Sequence, residues 1–186
     1  GYTVRVPPFA SAGLTSAMTL KLLNGFDIAS MGHNSVEMLH AFIYAARLAY
    51  ADRFEYMADP EFADVPWKGM VSDAYTDIRR AGIDASTLGG IAPGDPWAQE
   101  GRRPTEILES SAPALDRGTT HLCVIDGEGN GVSLTNTVMS GFGSGIIPKG
   151  SGVVMNNGMM WYDPVPGRVN SIMPGKFPLN NMTPAL

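Results

Sequence analysis

Residues 118–138 read GTTHLCVIDGEGNGVSLTNTV, and their pattern is the clearest structural signal in the second part of the chain. Apolar and polar side chains alternate through residues 119–125 and again through 132–138, which is typical of two β-strands. The glycine-rich run 126–131 between them predicts a tight turn. The stretch is therefore predicted to be an antiparallel hairpin.

The register of this hairpin brings two threonines together. If the turn centres near Glu128, Thr119 lies opposite Thr137 on the neighbouring strand. Threonine is also a favoured strand residue, so composition alone favours an ordinary structural role for both. The single cysteine, Cys123, is predicted to be a small buried strand residue, and His121 is predicted to be a structural, hydrogen-bonded histidine.

Residues 1–82 have a helical pattern. A short strand is predicted at 1–6 and a helix at 13–23. The clearest helix is predicted over about 35–57, and a shorter one near 71–81.

The predicted helix 35–57 has one apolar face and a possible cap. Asn34 followed by Glu37 resembles a capping box. Asp52 and Arg53 are predicted to form a buried or half-buried ion pair between helix and sheet. The apolar side chains that recur in steps of three and four are Val36, Leu39, Ile43, Ala46, Tyr50, Phe54 and Met57.

The remaining segments are rich in Gly and Pro. Residues 83–118 are predicted to form an irregular, loosely packed linker, because Gly-Gly, Pro-Gly and Asp-Pro pairs prevent long regular elements. Residues 151–156 are predicted to form a third strand, followed by a loop up to Leu186.

Composition excludes several function classes. The net charge is −5 and no basic patch occurs, so nucleic acid and anionic membrane are poor candidate partners. No apolar run reaches the roughly 18 residues of a membrane span. The single cysteine excludes an internal disulfide and a cysteine-rich metal site, and no metal or cofactor is predicted. Because the chain begins at Gly1, we expect an N-terminal portion to be missing, so the compartment stays open.

Several motifs, taken in order, resemble the γ-glutamyltransferase (γ-glutamyltranspeptidase) family of N-terminal-nucleophile hydrolases. The motifs of the second part are Gly118-Thr119-Thr120-His121, Phe142-Gly143-Ser144-Gly145-Ile146, Asn156-Asn157, Pro178-Leu179 and Met182-Thr183-Pro184. Those of the first part are Tyr50-Ala51-Asp52-Arg53, Asp59-Pro60 and Val65-Pro66-Trp67. Each motif is weak alone, but their common order covers essentially the whole chain.

The resemblance implies a self-cleaving enzyme with Thr119 as nucleophile. A threonine hydroxyl needs an adjacent base, and cleavage after Gly118 would free an α-amine whose pKa near roughly 8 suits that role. Glycine at 118 permits the strained backbone that such cleavage requires. By the same resemblance, the Thr137 hydroxyl binds and orients that of Thr119.

The family's usual substrate-binding positions are altered here. Met139 stands where Asn is common, Gly158 where Gln is usual, and Trp161 replaces an acidic residue. Asn180 and Asn181 replace a Ser-Ser pair. Met and Trp bind a glutamyl ammonium or carboxylate poorly, so the type of reaction is better defined than the substrate.

The resemblance implies an α+β fold, namely part of a four-layer αββα sandwich. Residues 1–118 would be the C-terminal part of a large subunit and 119–186 the N-terminal part of a small one. We expect an amide hydrolase or acyltransferase acting on a small amide or γ-glutamyl substrate; the alternative is a non-catalytic binding or structural relative. The family's oxyanion glycines and carboxylate-binding arginine fall beyond Leu186 and before Gly1, so the isolated chain is expected to be inactive.

Overall fold

The computed structural model describes residues 2–7, 9–83, 90–105, 109 and 118–186. Helices dominate the first part of the chain, and a hairpin opens the second, so the fold mixes helix and sheet. The elements are α1 (Gly13–Leu23), α2 (Val36–Tyr56), α3 (Trp67–Met70), α4 (Asp73–Ala81), α5 (Trp97–Glu100), β1 (Thr119–Ile125), β2 (Gly131–Thr137) and a 3₁₀ turn (Gly158–Trp161). None of the described helices is long and apolar enough to cross a membrane.

The helix α2 confirms the predicted 35–57 segment to within one residue at each end, but its cap is Ser35. The Ser35 hydroxyl accepts a hydrogen bond from the Met38 N–H at 3.1 Å. Asn34 precedes the cap with a left-handed φ of 55°. The capping-box prediction was therefore wrong by one residue, since asparagine is used here for its tolerance of positive φ.

The predicted apolar face of α2 is not the face that is buried in this structure. Val36, Leu39, Ile43 and Tyr50 are exposed. The buried residues of α2 are Ala41, Tyr44, Ala45, Leu48, Ala49, Asp52 and Arg53. The small alanines of the buried face let α1 pack closely against α2.

The predicted ion pair between Asp52 and Arg53 is not formed, although both side chains are 1% exposed. Consecutive helical residues point about 100° apart, so the two side chains diverge. The Asp52 carboxylate instead accepts from Arg79 Nη2 at 3.0 Å, the Tyr75 hydroxyl at 2.9 Å and the Gly94 N–H at 2.8 Å. Burial raises the pKa of Asp52 above its ordinary value, and these hydrogen bonds partly oppose that rise.

In the described residues 90–105, the prediction that no long regular element forms is confirmed, but the prediction of loose packing is wrong. These residues include the helix α5, whose Trp97 is buried. The Gly94 carbonyl accepts from the Tyr56 hydroxyl at 2.5 Å, which ties this segment to α2. The other parts of the predicted linker, residues 84–89, 106–108 and 110–117, lie outside the described residues.

The hairpin is confirmed. Strands β1 and β2 pair in antiparallel register, with Thr119 opposite Thr137 and Ile125 opposite Gly131. At the turn, Asp126 Oδ1 accepts from the Asn130 N–H at 2.8 Å, and hydrogen bonds from the Asn130 side chain and backbone lower the pKa of Asp126.

Two further strand predictions were wrong. Residues 151–156 contain no strand, although Met155 exchanges backbone hydrogen bonds with Ser144 and Ile146. Positive φ angles at Gly143 and Gly152 interrupt a regular ladder there. Residues 2–7 contain no strand either, because Arg5 pairs its backbone with Leu186 alone, at 2.7 and 3.0 Å.

Candidate active site

The two threonines singled out by the sequence meet at the open end of the hairpin. The Thr119 hydroxyl donates to Thr137 Oγ1 at 3.0 Å. Thr119 is exposed, whereas Thr137 is only 7% exposed. This pair consists of one accessible hydroxyl held by one buried hydroxyl, an arrangement suited to a nucleophile and its orienting partner.

The Thr137 hydroxyl is saturated with hydrogen bonds. Besides Thr119, it accepts from the Met139 N–H at 2.9 Å. It donates its own proton to the Gly118 carbonyl oxygen at 3.3 Å. The same carbonyl oxygen accepts from the Val138 N–H, also at 3.3 Å. The carbonyl immediately before Thr119 is therefore polarised by two donors of β2 and the residue after it.

Two residues with positive φ flank this carbonyl. Gly118 has φ 115° and Met139 has φ 74°. The first value suits glycine, whereas the second is uncommon for a side chain like methionine. The Met139 N–H donates to Thr137 Oγ1 two residues earlier, so this strained residue is tied directly to the threonine pair.

A polar row continues along the same face of the hairpin. His121 Nδ1 lies 2.8 Å from Thr135 Oγ1, and His121 Nε2 lies 3.2 Å from Cys123 Sγ. The histidine is thus hydrogen-bonded within the hairpin. Cys123 is exposed, so the prediction that it is buried was wrong. The strand has no covering layer on this face among the described residues.

Met139, Gly158 and Trp161 lie close to the end of β2. The Asn157 N–H donates to the Val138 carbonyl at 3.1 Å, which brings the 3₁₀ turn beside the site. Met139 is 1% and Trp161 4% exposed, so neither side chain faces open space. A Cβ at residue 158 would lie 3.2 Å from the Trp161 ring, so Gly158 allows the indole to pack over the backbone.

Asn180 and Asn181 belong to a segment bound to the helices. The Asn180 side chain donates to the Ala10 carbonyl at 2.6 Å and accepts from the Met182 N–H at 3.1 Å. Its amide is thereby engaged on both sides. Asn181 is exposed.

The sequence did not indicate the role of the Val138 N–H or the contact between Arg53 and Asn180. Every residue but proline carries a backbone N–H, so nothing in the residue type marked Val138. Arg53 donates to the Asn180 carbonyl at 2.5 Å across 127 positions of sequence, a separation that no local pattern reveals. No group of three or more metal-binding side chains occurs among the residues that the structure describes.

Comparisons with known proteins agree on one family. The family model for gamma-glutamyltranspeptidase matches residues 1–186. A glutathione hydrolase proenzyme of Bacillus subtilis subsp. natto is 35% identical over 100% of this chain and 32% of its own length. The Acylase ACY 1 proenzyme of Pseudomonas sp. (strain V22) is 36% identical over 97% of this chain and 29% of its own.

A solved structure supports the same fold. The cephalosporin acylase from Bacillus halodurans superimposes with a TM-score of 0.77 at 26% identity, covering 98% of this chain and 29% of that one. The chain thus spans about a third of the length of these relatives.

Proposed function

Because this chain belongs to the gamma-glutamyltranspeptidase family, we propose that it is part of an amide hydrolase or acyltransferase that cleaves itself between Gly118 and Thr119. It then works through an acyl-enzyme on Thr119. The observation that carries this proposal is the Thr119–Thr137 hydrogen bond of 3.0 Å beside the polarised Gly118 carbonyl. The proenzyme names of two relatives are consistent with self-cleavage.

Self-cleavage begins with attack of Thr119 Oγ1 on the Gly118 carbonyl carbon. The Thr119 hydroxyl proton passes to Thr137 Oγ1, while the Thr137 proton passes to the Gly118 oxygen, along the hydrogen bonds of 3.0 and 3.3 Å. The relay yields an uncharged cyclic adduct, and the Val138 N–H stabilises the charge that develops on the oxygen. Before cleavage the Thr119 nitrogen is an amide and cannot serve as a base. The Thr137 hydroxyl therefore accepts the Thr119 proton in its place.

The adduct then opens. Its C–N bond breaks, its hydroxyl proton moves to the Thr119 nitrogen, and an ester between Gly118 and the Thr119 hydroxyl remains. Water hydrolyses this ester to the Gly118 carboxylate and a free Thr119 hydroxyl. Water is the only co-reactant in these steps.

After cleavage the Thr119 α-amine replaces the relay as the base. Its pKa near roughly 8 leaves a useful neutral fraction at pH 7, and it sits on the nucleophilic residue itself. Thr119 Oγ1 attacks the substrate amide, the amine leaves, and water or an acceptor amine resolves the acyl-enzyme. Thr137 continues to orient the hydroxyl.

The finer architecture follows from the same proposal. Residues up to 118, the helical half, end one subunit, and residues from 119 onward, the nucleophile half, begin the other. The two halves belong to one αββα sandwich whose hairpin β1–β2 lies centrally. The partners are a small amide or γ-glutamyl substrate and the remainder of the protein.

Substrate preference rests on Met139, Gly158 and Trp161. Met139 and Trp161 are buried, so we infer that they act by removing polar groups from the site and by shaping its walls. Asn181, which is exposed, is the more accessible of the two asparagines for ligand contact. These features favour acyl groups less polar than γ-glutamyl.

The mass of the full-length protein tests the proposal. We expect two chains, one of which begins at Thr119 on N-terminal sequencing. Thr119→Ala should leave a single chain, whereas the control Thr120→Ala should still be cleaved. A start at any other residue would refute the assignment.

Substitution of Thr137 tests the proton relay from Thr119 to the Gly118 oxygen. Thr137→Val keeps the shape but removes the hydroxyl, and we expect it to slow cleavage by about two orders of magnitude or more. Thr135→Val is the matched control, because its hydroxyl bonds to His121 on the same face. Equal cleavage rates for these two variants would exclude the relay.

A further inference from the structure

We propose that Arg53 of α2 is a positioning residue that fixes residues 178–184 of the nucleophile half against the helical half. The segment carries Asn180 and Asn181, and the link to substrate binding rests on the function proposed above. The contact itself rests on geometry alone.

The Arg53 guanidinium reaches both halves from a buried position. Nη1 donates to the Ser11 carbonyl and to Thr15 Oγ1, each at 3.1 Å. Nη2 donates to the Asn180 carbonyl at 2.5 Å. Among the described residues, no carboxylate forms an ion pair with Arg53. Its guanidinium instead donates to neutral oxygen acceptors. Burial lowers the pKa of Arg53 to about 10, which leaves it charged at neutral pH.

The helical half holds the same segment from its other side. The Asn180 N–H donates to the Ala10 carbonyl at 2.9 Å, and the Ala12 N–H donates to the Met182 carbonyl at 3.2 Å. Ala10 has a left-handed φ of 63°, a conformation that costs energy in a residue other than glycine. The segment therefore lies between the turn 10–12 and the Arg53 guanidinium.

Core packing fixes the segment along its length. Leu179 is 2% exposed and belongs to the core cluster that contains Met18, Ala49 and Met57 of the helical half. Such packing keeps Leu179 in place but leaves the backbone of the next residues free to rotate. The hydrogen bonds from Arg53 and to Ala10 remove that freedom at Asn180.

An arginine suits this task better than a lysine. Its planar fork directs donors to two sides at once, and here those sides belong to different halves. Once the bond between Gly118 and Thr119 is cut, noncovalent contacts, these among them, define where Asn181 lies relative to α2. Loss of Arg53 should therefore misplace the segment without touching Thr119.

Hydrogen–deuterium exchange on the full-length protein tests the contact directly. In Arg53→Met, we expect amide exchange in peptides covering 178–184 to accelerate roughly ten- to a hundredfold, the effect of losing a charged donor. Arg80→Met is the matched control, because Arg80 also donates to two backbone carbonyls, those of Leu22 and Lys21, within the helical half. Unchanged exchange in Arg53→Met, or equal acceleration in Arg80→Met, would overturn the proposal.

Kinetics test the consequence for substrate binding. With a γ-glutamyl anilide or the best-used acyl anilide, we expect Arg53→Met to raise KM about tenfold while kcat falls less than about threefold. Arg53→Lys should lie between Arg53→Met and wild type. A fall in kcat with constant KM would instead assign Arg53 to general stability.

Failure of the proposed function and failure of the Arg53 contact give different results. If wild-type protein turns over no anilide, the proposed function fails, and exchange still decides the Arg53 contact. If Arg53→Met does not fold, Arg53→Lys decides it: faster exchange confined to 178–184 supports the proposal, and exchange equal to wild type, or raised everywhere, overturns it.

Discussion

The backbone conformation of a single glycine orients the carbonyl group that self-cleavage would attack. Gly118 has φ 115°, and its carbonyl oxygen accepts hydrogen bonds from the Thr137 hydroxyl and the Val138 N–H. A Cβ at residue 118 would only approach Val138 Cγ2 to 3.4 Å, an ordinary contact. The conformation, and not a lack of space, is therefore what requires glycine there.

Gly118→Ala should slow self-cleavage. A side chain with φ near this value costs about 1–3 kcal/mol, so the backbone will rotate and move the carbonyl away from its two donors. We expect the rate to fall at least about tenfold, as followed by the appearance of the chain that starts at Thr119. Gly127→Ala, in the open turn of the same hairpin, should not change the rate. Unaltered cleavage in Gly118→Ala would show that the strain has no part in the reaction.

At the residue scale, the sequence predicted the threonine pair because strand register follows from simple counting across a turn. It did not predict the left-handed φ of Met139, because methionine rarely adopts positive φ and nothing in the residue type indicates it. Cys123 was misplaced for a related reason. Small and apolar residue types indicate burial only where another layer covers the strand, and the described residues cover neither face of β1.

At the element scale, α2 and α4 are joined through one buried carboxylate. Asp52 on α2 accepts from Tyr75 and Arg79 on α4, and from the Gly94 N–H. Burial raises its pKa above 3.8, the ordinary value. In the exposed ion pair between α1 and α4, hydrogen bonding to Lys21 lowers the pKa of Asp73. The two carboxylates therefore have opposite effects on the pH dependence of stability.

The sign follows from proton binding. A raised pKa means that the folded state binds more protons than the unfolded state above pH 3.8, so the Asp52 contribution declines as pH rises through its folded pKa. The Asp73 contribution is present above pH 3.8 and is lost as pH falls through its lowered pKa. In single-chain Thr119→Ala protein, we expect the stability difference between parent and Asp52→Asn to shrink from about pH 3 to about pH 7. The difference for Asp73→Asn should grow. Urea unfolding measures both, and parallel trends would contradict the assignment.

Elements with their own local signal were predicted well. The hairpin has alternation and a glycine-rich turn, and α1 and α2 have length and helical spacing. The failures lie where an element depends on a partner. Residues 151–156 have a strand-like composition but meet a loop at Gly143, where a Cβ would come 2.2 Å from the Met155 carbonyl oxygen. The buried face of α2 was missed because Ala, Asp and Arg carry little hydrophobic signal in sequence.

At the scale of the whole molecule, the last ten residues return to the helical half. The Phe177 N–H donates to Asp59 Oδ2 at 2.8 Å, and Leu186 pairs with Arg5. These contacts join residues more than a hundred positions apart, which no periodicity encodes. The order of the motifs could be recognised in the sequence, whereas the contacts between the two halves are visible only in the structure.

The packing of the two halves should determine which acyl group the enzyme prefers. Met139 and Trp161 are buried beside the end of β2. Neither carries a charge to pair with a glutamyl ammonium or carboxylate, and their one polar group, the Trp161 indole N–H, is neutral and buried. Each lost charge-assisted hydrogen bond weakens transition-state binding by roughly 1.5–3 kcal/mol. Two such losses amount to about two to four orders of magnitude. We therefore expect kcat/KM for a γ-glutamyl anilide to lie below that for anilides of simple aliphatic or aromatic acids in the full-length enzyme.

Met139→Asn tests the cause. Asparagine tolerates the left-handed φ of 74° found at this position and restores a polar side chain next to Thr137. It should raise kcat/KM for the γ-glutamyl anilide about tenfold relative to the aliphatic anilide. Met159→Asn, the same change at an exposed position near the site, should leave that ratio unaltered. If the wild-type enzyme already prefers the γ-glutamyl anilide about a hundredfold, then Asn180, Asn181 or residues outside this chain bind the glutamyl group, and Met139 does not set the preference.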